Sequence, residues 1–148
     1  MKQKQKELVE IGSIFEMPCQ WSVGPLMDQF YAGFEKKKII GVKCSACGKV
    51  YVPPREVCAK CWKPTKEIIE LPGAGKLVNY TVAHVDFRGA KLDKPIIIGL
   101  VKLEGAFTSV FGEVRGVSPG DVKKSMKLRA VWADQPKGHV KDLHFEPA

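Results

Sequence analysis

The chain has 148 residues, about one domain's length, with 45% hydrophobic and 27% charged residues, the composition of a folded globular protein. Its formal charge is +8, but only four of its basic residues are arginines (Arg55, Arg88, Arg115 and Arg129). Base readout and phosphate forks favour Arg, so a solvated lysine surface, or attraction to a phosphate-bearing ligand, explains the charge better than nucleic-acid recognition does. The longest apolar run, Ile96 to Val101, falls far short of the ~18 residues a membrane span needs. Glu7, Glu10 and Glu16 interrupt what would be a signal peptide's apolar stretch, and the expected setting is the reducing cytoplasm.

Residues 1–40 form the first segment. Gly24-Pro25 marks a helix start, since proline in the first turn gives up an N–H that has no partner anyway. Leu26, Met27, Phe30, Tyr31 and Phe34 follow at helical spacing. Asp28 in the first turn and Lys36, Lys37 and Lys38 at the end suit the helix dipole. So short a helix needs its aromatic face covered, either by its own domain or by a partner protein.

Residues 41–68 are the second segment, and they carry the strongest signal. Cys44-Ser45-Ala46-Cys47-Gly48 is followed by Cys58-Ala59-Lys60-Cys61. Two Cys-x2-Cys pairs supply four thiolates that close a tetrahedral Zn²⁺ site. Gly48 can take the positive φ that such a knuckle turn favours. The insert from Lys49 to Val57 carries Pro53-Pro54 and is expected to form a hairpin. Paired disulfides are disfavoured by compartment. An iron S4 site is the chemical alternative, because geometry alone does not separate it from zinc. A four-sulfur site has no open position, so its expected role is structural. Cys19 reads as an idle or buried thiol.

Residues 69–148 read as all-β. Leu71-Pro72-Gly73-Ala74-Gly75 is turn chemistry. Leu77 to Phe87 is rich in β-formers. Ile96 to Leu103 and Ala106 to Val114 flank Glu104-Gly105 as a hairpin. Met126 to Trp132 alternates apolar and polar residues, and Leu143 to Phe145 is a short fifth strand. Five short strands with glycine at the bends suggest a small OB-type barrel, with a small sandwich as the alternative. Phe87, Phe107, Phe111 and Trp132 are expected in the barrel core.

The succession of an aromatic helix, Cys44-x2-Cys47-Gly48, Pro53-Pro54-Arg55, Cys58-x2-Cys61, Leu71-Pro72-Gly73-Ala74-Gly75-Lys76-Leu77, Tyr80-Thr81-Val82 with His84, and Pro95 to Val101 is informative as a set. It resembles the OB-fold, acyl-CoA-associated proteins with an N-terminal rubredoxin-like zinc ribbon (domain of unknown function 35). The resemblance covers roughly residues 25–135. It implies a mainly β chain with an N-terminal helix, a rubredoxin-like zinc ribbon and a five-stranded OB-fold barrel. It also implies an accessory or bridging subunit of a thiolase-like or other acyl-CoA enzyme. Trp62 stands where the second knuckle would carry glycine.

Three residues are candidates for contact with acyl-CoA or CoA. Arg55, on a proline-stiffened loop, can fork a phosphate. Tyr80 and His84 are both even-numbered on one strand and so share a face. Each also has a plain structural explanation at the surface or rim. The chain shows no carboxylate pair, nucleophile motif or open metal site, so no catalytic residue is assigned. The competing function is a single-stranded nucleic-acid module, since zinc ribbons and OB barrels also serve that purpose with basic grooves and aromatics.

Overall fold

The computed structural model describes residues 19–20 and 22–148. The sequence expectations for residues 1–18 lie outside the described residues.

Helix α1 spans Pro25–Glu35, with proline in its first turn and Asp28 beside it. The three lysines do not close its last turn. The helix stops at Glu35, and the Lys38 N–H turns back to Gly33 O (2.9 Å) as Lys37 adopts φ 57°. That reversal lets the chain enter strand β1 directly. Phe30 and Phe34 are buried, with Phe34 packed edge-on against Trp132 at 5.2 Å. The aromatic face is therefore covered by the chain's own barrel. Two buried phenylalanines stabilise this docking by about 1.5–3 kcal/mol each.

Strands β1 (Ile39–Lys43), β2 (Val50–Tyr51) and β3 (Glu67–Leu71) form a three-stranded sheet in the order β2-β1-β3. The insert between the cysteine pairs is not a hairpin of its own. Its first residues, Val50 and Tyr51, pair back onto Lys43 and Val42, so the hairpin turn is the first knuckle itself.

Pro72-Gly73 then leads into a closed barrel. Its strands are β4 (Ala74–Val85), β5 (Lys91–Leu103), β6 (Val110–Val114), β7 (Lys127–Trp132) and β8 (Leu143–Pro147), in the order β4-β5-β6-β8-β7. All neighbours are antiparallel except β6 and β8. This is the five-stranded barrel the sequence predicts. Between β6 and β7 the chain makes only turns.

The core departs from expectation. Leu77, Val101, Leu103, Leu128 and Phe145 are almost wholly buried. Phe87, Phe107 and Phe111, expected in the core, are 90%, 47% and 72% exposed. Phe107 lies in the loop before β6, its ring edge-on to Tyr51 at 5.7 Å; for Phe111 the reason is parity. Gly99 and Gly112 sit opposite each other on the inner face, so Leu100 and Phe111 beside them point outward. The Phe145 ring closes on Gly112, while Leu77 and Val114 close on Gly99. Phe87 stands at the tip of the β4–β5 hairpin, beyond the barrel.

Candidate metal centre and ligand surfaces

The two knuckles are built alike. In the first, Gly48 N–H donates to Cys44 O (2.8 Å) and Cys44 N–H to Lys49 O (2.9 Å). In the second, Trp62 N–H donates to Cys58 O (3.0 Å) and Cys58 N–H to Lys63 O (2.9 Å). Gly48 has φ 69° and Trp62 has φ 57°. Trp62 thus occupies the left-handed position that glycine fills in the first turn, and its side chain is 80% exposed.

This matched geometry brings the sulfurs of Cys44, Cys47, Cys58 and Cys61 within 4.8 Å of one another. Cys44 Sγ lies 3.5 Å from Cys61 Sγ, and Cys47 Sγ 3.5 Å from Cys58 Sγ. A tetrahedral Zn²⁺ with ~2.3 Å bonds to sulfur has edges of about 3.8 Å, so the four positions fit such an ion. Cys44 and Cys58 are fully buried.

The electrostatics agree. Tyr51, also fully buried, places Oη 3.2 Å from Cys58 Sγ. Its hydroxyl donates to the thiolate and draws the Cys58 thiol down to about 5. The hydrogen bond with Cys58 pushes Cys61 up to about 12. Four sulfurs this close do not all ionise unless a cation lies among them, and a divalent metal supplies that charge. Tyr51 is a supporting residue that motif reading missed. An aromatic residue two positions before the Pro-Pro of the insert is its only trace in the sequence.

The ligand candidates are not brought together. Arg55 is exposed on the ribbon, its guanidinium 5.2 Å from the centre of the Tyr51 ring, and its carbonyl accepts from Thr65 Oγ1. Tyr80 lines an open pocket of about 290 Å³ with Asn79, Thr81, Ile98, Leu100 and Phe111. His84 is exposed and lies where the β4–β5 register shifts, between Ala83 and Val85. The unmatched residues of that irregularity, 92–95, lie on β5, and His84 does not line the pocket that Tyr80 borders.

A second feature emerges only from the register. Lys76 on β4 stands directly opposite Lys102 on β5 and Lys127 on β7. All three are exposed. Like charges facing each other across strands are destabilising. Lys76 and Lys102 border an open pocket of about 450 Å³, which Ser125, Leu77, Leu103 and Ala106 also line.

A four-cysteine knuckle pair followed by a closed five-stranded barrel defines the chain as a zinc-ribbon and OB-fold protein. Two family models agree: the ChsH2 rubredoxin-like zinc ribbon domain over residues 35–67, and the ChsH2 C-terminal OB-fold domain over residues 69–133. A DUF35 domain-containing scaffold protein of Methanocaldococcus jannaschii is 37% identical over 99 residues, covering 66% of this chain and 70% of that protein. A scaffold protein of the same description from Pyrococcus furiosus is 30% identical over 97 residues, with the same coverage. The crystal structure of a DUF35 protein of unknown function from Sulfolobus solfataricus superposes with a TM-score of 0.66 at 28% identity, covering 84% of this chain and 87% of that one. An Ltp2-ChsH2(DUF35) aldolase shares the fold, with a TM-score of 0.69 at 20% identity over 86% of this chain and 98% of that chain. The chain belongs to the DUF35 family. Among the described residues, no helix is long and apolar enough to cross a membrane.

Proposed function

We propose that this chain is a non-catalytic accessory subunit of the cytoplasm. In this reading it carries one structural zinc ion, binds acyl-CoA or CoA, and assists or bridges a thiolase-like acyltransferase. The observation that carries the accessory role is the 37% identity to a protein described as a scaffold, over 70% of that protein's length. The name of the Ltp2-ChsH2(DUF35) aldolase likewise joins a DUF35 chain to a second protein. Zinc rather than iron is favoured by the zinc-ribbon match over residues 35–67.

The lysine row supports the ligand. CoA carries its phosphates at one end and a thioester-bearing arm at the other. Lys76, Lys102 and Lys127 offer positive charge whose mutual repulsion an anion relieves. The adjoining pocket has an apolar wall for the arm. Arg55, Tyr80 and His84 remain contact candidates where a partner completes the surface. Calorimetry with CoA and acyl-CoA tests the claim, on the chain alone and with its partner enzyme. Micromolar binding is expected, weakened about tenfold by Lys76→Gln with Lys102→Gln. No heat in either state removes the ligand.

One observation favours the nucleic-acid reading: Phe87 and Phe111 are exposed, as stacking platforms are. A salt-dependent shift with single-stranded DNA, lost in Phe111→Ala, would establish it. No shift at low salt discards it.

A further inference from the structure

The pocket beside Lys76 and Lys102 has walls of different make. One belongs to the barrel, with Leu77 and Val78 on β4. The other is the end of β5 and the turn that follows it, where Leu103, Glu104, Gly105 and Ala106 stand. Strand β5 stays paired with β6 only as far as Val101, opposite Val110. Past that rung the barrel holds the chain from the β4 side alone. Lys102 and Leu103 pair with Lys76 and Gly75, and Glu104 N–H donates to Ala74 O (2.9 Å).

The far side of the turn is held by the ribbon. Phe107 N–H donates to Val50 O (2.7 Å). Thr108 Oγ1 accepts from Val52 N–H and donates to Val52 O, both at 2.8 Å. The Phe107 ring lies edge-on to Tyr51, with Lys49 Nζ 3.2 Å from its centre. All these ribbon groups fall between Lys49 and Val52, the stretch that leaves the first knuckle. Tyr51 Oη in turn reaches Cys58 Sγ of the second (3.2 Å). The buried cluster around the knuckles consists of Cys44, Tyr51 and Cys58, with Cys47 and Cys61 packed against it. With so little apolar core, this part of the ribbon owes its shape to the metal that its four sulfurs bind.

We infer that the ribbon fixes the turn that walls the lysine pocket, through Thr108 and Phe107, so that metal at the cysteines and an anionic ligand at the pocket strengthen each other. Two states of one element carry the coupling. Val50 to Val52 is held at the knuckles with the turn fixed against it, or both are released. A wall present in one state and lost in the other gives the ligand different affinities for the two. That difference is the only lever by which a ligand shifts such an equilibrium. The coupling is reciprocal by linkage. Thr108 is a positioning residue in this account, since it touches Val52 and does not line the pocket.

The ligand half of the inference rests on the CoA reading above, whereas the state of the wall is measured without ligand. Thr108→Val keeps the shape of the side chain and removes both bonds to Val52; Thr108→Ser keeps them. Zinc content and far-UV circular dichroism should match the wild type in both variants. Calorimetry should show CoA binding about fivefold weaker in Thr108→Val and unchanged in Thr108→Ser. Hydrogen exchange on zinc-loaded Thr108→Val should show faster amides at Ala106 and Phe107, while Val101 stays slow. In the wild type, CoA should hinder zinc transfer to a competing chelator by the same factor by which chelation weakens CoA. Unchanged exchange at Ala106 and Phe107 in Thr108→Val overturns the inference, whether or not CoA binds. So does equal CoA affinity in Thr108→Val and the wild type, or in the wild type with and without metal. No CoA heat in any of the proteins, together with faster exchange in Thr108→Val, removes the CoA reading and leaves the ribbon as the support of the wall.

Discussion

Gly112 offers a quantitative test of the barrel interior. A Cβ built on it would lie 2.6 and 2.7 Å from two ring carbons of Phe145, whose side chain is fully buried. The backbone of Gly112 is not left-handed, so alanine brings no φ strain. Replacing a strand glycine by alanine ordinarily gains about 0.5–1 kcal/mol of backbone entropy. Here the methyl forces a rigid ring to move in a packed interior, which costs about 1–3 kcal/mol. The clash should win, leaving Gly112→Ala about 1–2 kcal/mol less stable. At roughly 2–4 °C per kcal/mol for a chain of this size, the melting temperature should fall by about 2–8 °C. Phe145→Leu removes the offending ring edge and costs stability by itself through the space it empties. Together the two changes should destabilise by at least about 0.5 kcal/mol less than the sum of the singles. Urea denaturation of the four proteins measures this cycle. A Gly112→Ala protein that melts higher than the wild type would refute the argument that the glycine exists to admit the ring.

Three further outcomes follow from the site and its surroundings. Cys58→Ser should abolish stoichiometric zinc in elemental analysis and lower the melting temperature, because the ion's binding energy stabilises the ribbon; full zinc retention would contradict the four-sulfur site. Trp62→Gly should raise stability by about 1 kcal/mol, since it relieves a left-handed non-glycine residue whose side chain is 80% exposed, and Gly48→Ala should lower it by about the same amount; equal melting temperatures for all three proteins would refute the matched-turn account. Asp142 accepts from the N–H groups of His139 (2.7 Å) and Lys137 (2.8 Å), and the His139 bond chiefly holds its carboxyl below the usual 3.8. Its contribution is therefore present above that pH and lost as pH falls through the depressed value. Asp142→Asn should melt lower at neutral pH and lose less stability on acidification than the wild type, as differential scanning fluorimetry across pH 2–6 would show.

The metal centre was the most legible part of the sequence, because two Cys-x2-Cys pairs constrain geometry through local turns alone. Helix α1 was legible for a similar reason: Pro25 and the Phe30–Phe34 spacing act within one or two turns. The lysines after it were misplaced because Lys37 adopts a left-handed conformation that no motif announces. Interior and exterior of the barrel were harder to read. From Ile96 to Leu100 both faces of β5 are apolar, so alternation carries no information about which side is inward. Gly99 and Gly112, which decide it, look like turn residues in one dimension. The Lys102-Lys76-Lys127 row and the pairing of β2 with β1 depend on register between distant strands, and nothing local encodes that.

The ribbon and the barrel are sewn together at one seam. Val52 N–H donates to Thr108 Oγ1 (2.8 Å), the same hydroxyl donates back to Val52 O (2.8 Å), and Phe107 N–H donates to Val50 O (2.7 Å). Val50 and Val52 flank Tyr51, which touches a sulfur of the knuckles. Chelation should therefore be felt far from the cysteines: an apo chain ought to melt as one loosened body, its β5–β6 loop unmoored along with the ribbon.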